Sequence, residues 1–125
     1  MPSVIFTRPQ LASAGLTEAQ ALAAGHDCDC RNLDLADVPR ALANLDPLGA
    51  VKLVADAATG QLLGVHAAAE SAGELMLAAT YAIKFGLSVD DLADTCAPYL
   101  TMSEALKLVA QSYRSEVKKL SCCAA

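Results

Sequence analysis

The chain has 125 residues, is 54% hydrophobic, and carries a net charge of −5 with a pI near 4.8. That length suits one domain able to bury roughly two-thirds of its unfolded surface without crosslinks. The acidic balance lacks the electrostatic footprint of a nucleic-acid binder, and no run of about 18 apolar residues is present to span a membrane.

Aromatic residues make up only 4% and Trp is absent, so the core must be aliphatic, built from Ala, Leu and Val. The opening Met1 to Arg8 lacks the charged and apolar regions of a signal peptide. Five cysteines, odd in number and irregularly spaced, fit reduced thiols in the cytoplasm better than a disulfide framework.

Val4 to Thr7 reads as a short strand stopped by Arg8-Pro9, resumed from Leu11 to Ala14 until Gly15 turns the chain. Thr17 with Gln20 three residues on forms a capping box, predicting a helix from Glu18 to Ala24 closed by Gly25. Cys28 to Leu35 is expected to be a strand. Asp37 is expected to cap a short helix entered through Pro39, with Arg40 to Ala43 as its body.

Ala50 to Ala55 and Leu62 to Ala68 are apolar β-type runs. The Asp56 to Gly60 connection between them predicts a hairpin with a bulged or longer loop. From Ser71 the period becomes helical: Ala72, Leu75, Ala79, Ala82 and Ile83 share a stripe, widened by Met76 and Phe85, up to Gly86. Ser88 caps a shorter helix to Asp94, with Asp91 completing the box. Ala97 to Leu100 is expected to be extended around Pro98. A last helix from Ser103 to Lys119 is expected to turn Leu106, Val109, Ala110, Tyr113 and Val117 inward, with Arg114, Lys118 and Lys119 complementing its dipole. Strands followed by helices predict an α+β, two-layer domain, an antiparallel sheet with helices packed on one face.

A dinucleotide-binding turn needs glycines two and three residues apart, so that the backbone can approach a pyrophosphate. None of the seven glycines has that spacing. His26 reads as a surface residue and His66 as a satisfied, half-buried strand residue; neither stands at metal-ligand spacing from a second ligand. Cys28 and Cys30 share one strand face. They are read as small fillers in preference to soft-ion ligands, because a stiff strand adapts poorly to an ion. Cys96 is expected to be packed.

Cys122 and Cys123 are adjacent, and a disulfide between neighbours strains the intervening peptide or its own dihedral. Two reduced sulfurs there can instead close on one soft metal ion; the alternative is an idle terminus. Tyr99 is expected to pack against the start of the last helix with its hydroxyl solvated. Thr101 and Glu104 have the capping-box form.

Val4-Ile5-Phe6-Thr7-Arg8-Pro9-Gln10-Leu11-Ala12-Ser13-Ala14-Gly15-Leu16-Thr17-Glu18 resembles the opening of the dimerisation domain of the pyridine-nucleotide disulfide oxidoreductases. Leu62 to His66 and Ala72 to Leu75 resemble that family's hairpin and following helix. Val38 to Asn44, Pro98 to Met102 and Leu120 to Ala124 are similar to the family's Hg(II)-reducing members. The resemblance implies a piece of a longer enzyme whose FAD and NADPH domains lie upstream. Residues 1–119 would form the homodimer interface domain and 120–125 a metal-binding tail.

Most relatives carry His-Pro-Thr-x-x-Glu where this chain reads Tyr99-Leu100-Thr101-Met102-Ser103-Glu104. Phenols ordinarily titrate near ~10 and imidazoles near ~6.5, so the exchange removes a proton-shuttling base. A metal-ion substrate needs thiolate exchange more than a base. The resemblance thus implies Tyr99 as a wall of the metal site and Cys122 and Cys123 as the ligands that capture Hg(II) and pass it to the other subunit. A freestanding soft-metal-binding thiol protein using Cys28, Cys30, Cys122 and Cys123, and the interface domain of a generic disulfide reductase, are the competing readings.

Overall fold

The computed structural model describes residues 1–115. Lys118, Lys119, Cys122 and Cys123 lie outside the described residues; the last helix, expected to run from Ser103 to Lys119, already ends at Gln111, and turns follow it from Ser112. Five strands form one antiparallel sheet in the order β1-β2-β5-β4-β3: β1 (Ser3–Ile5), β2 (Gln10–Gly15), β3 (Cys28–Asp34), β4 (Ala50–Asp56) and β5 (Leu62–Ala69). The helices are α1 (Glu18–Ala23), α2 (Pro39–Ala43), α3 (Ala72–Lys84), α4 (Val89–Asp94) and α5 (Glu104–Gln111). The α+β layering expected from the sequence is what forms.

Alternation along the strands sends Ala12, Ala14, Leu33, Val51, Leu53, Val65, Ala67 and Ala69 to one face. There they meet Leu75, Met76 and Ala79 of α3, Val89 and Ala93 of α4, and Leu108 and Val109 of α5. Tyr113 fastens α5 to the sheet, its hydroxyl donating to the carbonyls of Asp29 (3.0 Å) and Leu53 (3.3 Å). Burial pushes that phenol well above its ordinary range.

The expected hairpin bulge lies in the ladder: Val54 faces Gly64 and Ala55 faces Leu62, leaving Leu63 as the extra residue. Consecutive leucines are therefore both buried on opposite faces, Leu62 in the main core and Leu63 with Val54 and Ala21. This second cluster is why α1 covers the opposite face of the sheet, a departure from helices on one face only.

Both local capping boxes form, Thr17 with Gln20 and Ser88 with Asp91. Three expectations are corrected. Val38, not Asp37, is the N-cap of α2, because Leu35–Asp37 forms a 3-10 turn before Pro39. Arg114 does not serve a helix end. Its guanidinium forks across Asp90 (2.7 Å) and Asp94 (2.7 and 3.1 Å) of α4. His26 is half-buried, with Nδ1 2.7 Å from the Asp56 carboxylate.

Asp56 also accepts the backbone N–H groups of Ala58 and Thr59, closing the hairpin loop. The bond to His26, followed by that to Thr59, holds this carboxyl down at about 2. A depressed folded-state value adds stability that is complete above the unfolded value of ~3.9 and is lost as pH falls toward the folded one. Asp56→Asn should therefore be less stable than the parent above pH ~5, with the gap closing as acid is added. Urea midpoints of both proteins across that range check this; a gap independent of pH would contradict it.

Candidate functional site

The turn that carries Tyr99 is built by its neighbours rather than by the helix that follows. Leu100 adopts the left-handed conformation at φ 61°, which costs a residue with a side chain roughly 1–2 kcal/mol. Two bonds hold it there. Glu104 accepts the Leu100 N–H at 3.3 Å, and the Thr101 hydroxyl donates to the Pro98 carbonyl at 2.8 Å. Glu104 is only 7% exposed and is the sole buried charged side chain among the described residues. Leaving a buried carboxylate without that donor would be costly.

This geometry corrects the sequence reading of the segment. Tyr99 and Leu100 form a turn rather than an extended stretch, and the Thr101–Glu104 capping box is absent. The N-cap of α5 is Ser103, without a side-chain bond. Both polar side chains of the expected box are spent on the turn. Glu104 was thus found by its spacing but given the wrong partner. It acts as the clamp of the Tyr99 turn.

Tyr99 projects outward, 68% exposed, and its hydroxyl has no hydrogen-bond partner among the described residues. It does not pack on the helix start as expected. A hollow beside the turn is lined by Arg40, Asn44, Glu70, Glu74, Thr101 and Met102. Asn44 donates to Glu70 there at 3.3 Å. Its donors are mostly hard oxygens, which suit hard cations better than soft ones. Among the described residues the turn therefore offers an outward-facing phenol and no thiolate cage.

The cysteines are distributed around the fold. Cys96 is exposed rather than packed, in the segment between α4 and Tyr99. Cys28 and Cys30 are half-buried beside Leu16, packed against Ala21, Val54 and Leu63. Burial first, and the Glu18 carboxylate next, push both thiols up from their ordinary value. His66 is half-buried with Nε2 3.0 Å from the Leu16 carbonyl, as expected.

The family described as pyridine nucleotide-disulphide oxidoreductase, dimerisation domain, matches residues 1–110. The chain is 58% identical over 124 residues to a mercuric reductase of Streptomyces lividans, and 52% identical over 124 residues to one of Lysinibacillus sphaericus. These comparisons take in 99% of this chain but 26% and 23% of the relatives. The chain spans about a quarter of the length of the curated relatives it matches. Among solved structures, the HOCl-induced flavoprotein disulfide reductase RclA from Escherichia coli superposes with a TM-score of 0.84 at 29% identity, over 89% of this chain and 26% of that one.

Proposed function

The chain belongs to the pyridine nucleotide-disulphide oxidoreductase family as its dimerisation domain, and from that premise we propose that it is the dimerisation and Hg(II)-handover part of an NADPH-dependent mercuric reductase. The observation that carries this is the 58% identity to a mercuric reductase over 124 residues, a span that runs through Cys122 and Cys123. Residues 1–119 are the dimerisation domain and residues 120–125 the metal-binding tail.

No glycine pair in the chain can cradle a pyrophosphate. On this reading FAD and NADPH belong to other domains of the parent enzyme, and none of their chemistry is assigned to these residues. Free thiols at Cys28, Cys30 and Cys96 support a reducing, cytoplasmic setting.

The tail works by ligand exchange. As each Hg–S bond to Cys122 or Cys123 forms, one to the carrier thiol breaks, and the protein's thiol proton leaves with the carrier. A second exchange passes the ion to the redox-active cysteines of the other subunit. Two adjacent thiols hold the ion without a closed cage, so it can leave again. Tyr99, on its hydrogen-bonded turn, forms a wall of that receiving site, and thiolate exchange there needs no base.

Handover between subunits requires a dimer, and α3 supplies the contact. Leu77, Tyr81 and Phe85 are 61%, 54% and 69% exposed and repeat every four residues along the helix side opposite Leu75, Ala79 and Ala82. Glu74 lies in the first turn of this helix and Lys84 ends it. Two copies crossing antiparallel about a two-fold axis place each acidic end against the other's basic end.

Titrating the 125-residue chain with Hg(II) tests the tail. Cys122→Ser/Cys123→Ser is expected to lose one Hg(II) equivalent per chain; unchanged stoichiometry would overturn the handover role.

A further inference from the structure

β3 sets Cys28 and Cys30 two residues apart on one face of the sheet, where both pack with Leu16, Ala21, Val54 and Leu63. Both thiols are free and only half-buried. β3 is an edge strand, so the pair lies at the rim of the sheet and not in its centre. The Glu18 carboxylate of α1 lies close enough for its charge to act on both sulfurs. Lys52 holds that carboxylate in place at 2.7 Å.

Strand geometry decides what two such thiols can share. Residues i and i+2 stand ~6.7 Å apart, twice the rise per residue, with their Cβ atoms projecting in parallel. A disulfide needs Cβ atoms about 3.5–4.5 Å apart, so forming one would require the strand to buckle. A two-coordinate ion spans more. Two metal–sulfur bonds of about 2.3 Å laid end to end separate the sulfurs by ~4.6 Å, which parallel side chains reach by leaning together. Among the described residues no three His, Cys, Asp or Glu side chains converge on a metal position. Tetrahedral Zn(II) would therefore lack its remaining ligands.

We propose that Cys28 and Cys30 form a two-thiolate site for a soft ion that prefers linear coordination, such as Hg(II) or Ag(I), separate from Cys122 and Cys123. Loading from a bis-thiolate carrier is two exchanges. Two Hg–S bonds to the carrier break, two to Cys28 and Cys30 form, and the two thiol protons leave on the carrier thiolates. No electrons move. The site stands on strand geometry and does not depend on the handover role of the tail.

The 125-residue chain carrying Cys96→Ser, Cys122→Ser and Cys123→Ser retains only these two thiols. Titrated with mercuric chloride, its thiolate-to-mercury ultraviolet absorption and its native mass spectrum are expected to saturate at one Hg(II) per chain. Both thiols should then resist alkylation. X-ray absorption at the mercury edge should find two sulfur neighbours per ion, a readout that needs no further substitution. Adding Cys30→Ser removes the intramolecular second ligand and should weaken binding by about 100-fold or more. Zn(II) at equal concentration should not compete.

Saturation at half an ion per chain, which signals bridging between chains, would overturn the proposal. So would unchanged affinity in a folded Cys30→Ser variant, or tight Zn(II) binding. Because this variant lacks Cys122 and Cys123, any of these results leaves the handover reading untouched.

Discussion

Replacing Leu77 and Tyr81 together with glutamate is expected to turn the intact dimeric enzyme into monomers. Both side chains are more than half exposed on α3, so the substitutions cost the folded domain little. At a two-fold contact each change appears twice and brings like charges together, where the aromatic and aliphatic anchors had been buried. Tyr81 and Phe85 already associate, with ring centroids 6.4 Å apart, and the Lys84 ammonium lies 5.8 Å from the Phe85 ring. An aromatic anchor at the centre of an interface typically contributes about 2 kcal/mol or more, and the two-fold axis counts Tyr81 twice, so the double change should raise the dimer dissociation constant by about a thousandfold. Sedimentation of the full-length protein reads this directly, with circular dichroism as the check on folding. A dimer that persists at unchanged affinity would place the interface elsewhere.

The second large effect is internal. Gly15 of β2 faces Gly64 of β5, where the chain leaves the sheet and Leu16 turns back to bond the Leu63 carbonyl at 2.9 Å. A Cβ on Gly64 would stand 1.9 Å from the Leu16 carbonyl oxygen and 3.0 Å from its carbon. The obstacle is backbone, which cannot rotate away as a side chain can. Gly64→Ala must separate β2 from β5 or displace the start of α1, and is expected to cost about 3 kcal/mol or more. Gly25 provides the comparison. Its φ of +91° penalises a side chain, yet a Cβ there meets nothing within 4 Å, so Gly25→Ala should cost only about 1 kcal/mol. Denaturant midpoints of the two variants decide the matter. Equal losses would mean that the β2–β5 approach is not what makes glycine necessary.

What the sequence revealed follows the range of the interactions concerned. The capping boxes at Thr17 and Ser88 involve partners three residues away, and both form as read. The apolar hairpin and the α3 stripe through Ala72, Leu75, Met76, Ala79 and Ala82 are likewise local patterns of burial, but Phe85, expected to widen that stripe, caps the helix end and is exposed. His26 escaped because its partner, Asp56, is thirty positions away and meets it only after β3 pairs with β4. Arg114 was assigned to its own helix end, whereas α4 packs close enough to offer two carboxylates.

At the candidate site the motif was visible and its use was not. Thr101 and Glu104 have capping spacing, but a left-handed Leu100 exposes an N–H that competes for the Glu104 carboxylate. An equally local turn, with partners three and four residues away, took both side chains of the expected box. The exposure of Tyr99 follows from the same turn. The resemblance to the disulfide oxidoreductases carried the functional reading further than periodicity could, because the ligands it points to, Cys122 and Cys123, lie outside the described residues.

Delivery of the metal ion across the dimer is what this domain is proposed to do. Its most direct test is steady-state Hg(II) reduction by the full-length enzyme, with the ion supplied as a bis-thiolate complex, in parent and Cys122→Ser/Cys123→Ser forms. Loss of the capturing ligands should lower kcat/KM by about 100-fold, equivalent to ~2.7 kcal/mol of lost transition-state stabilisation, while the protein still sediments as a dimer. An unchanged kcat/KM in the dimeric variant would contradict the account.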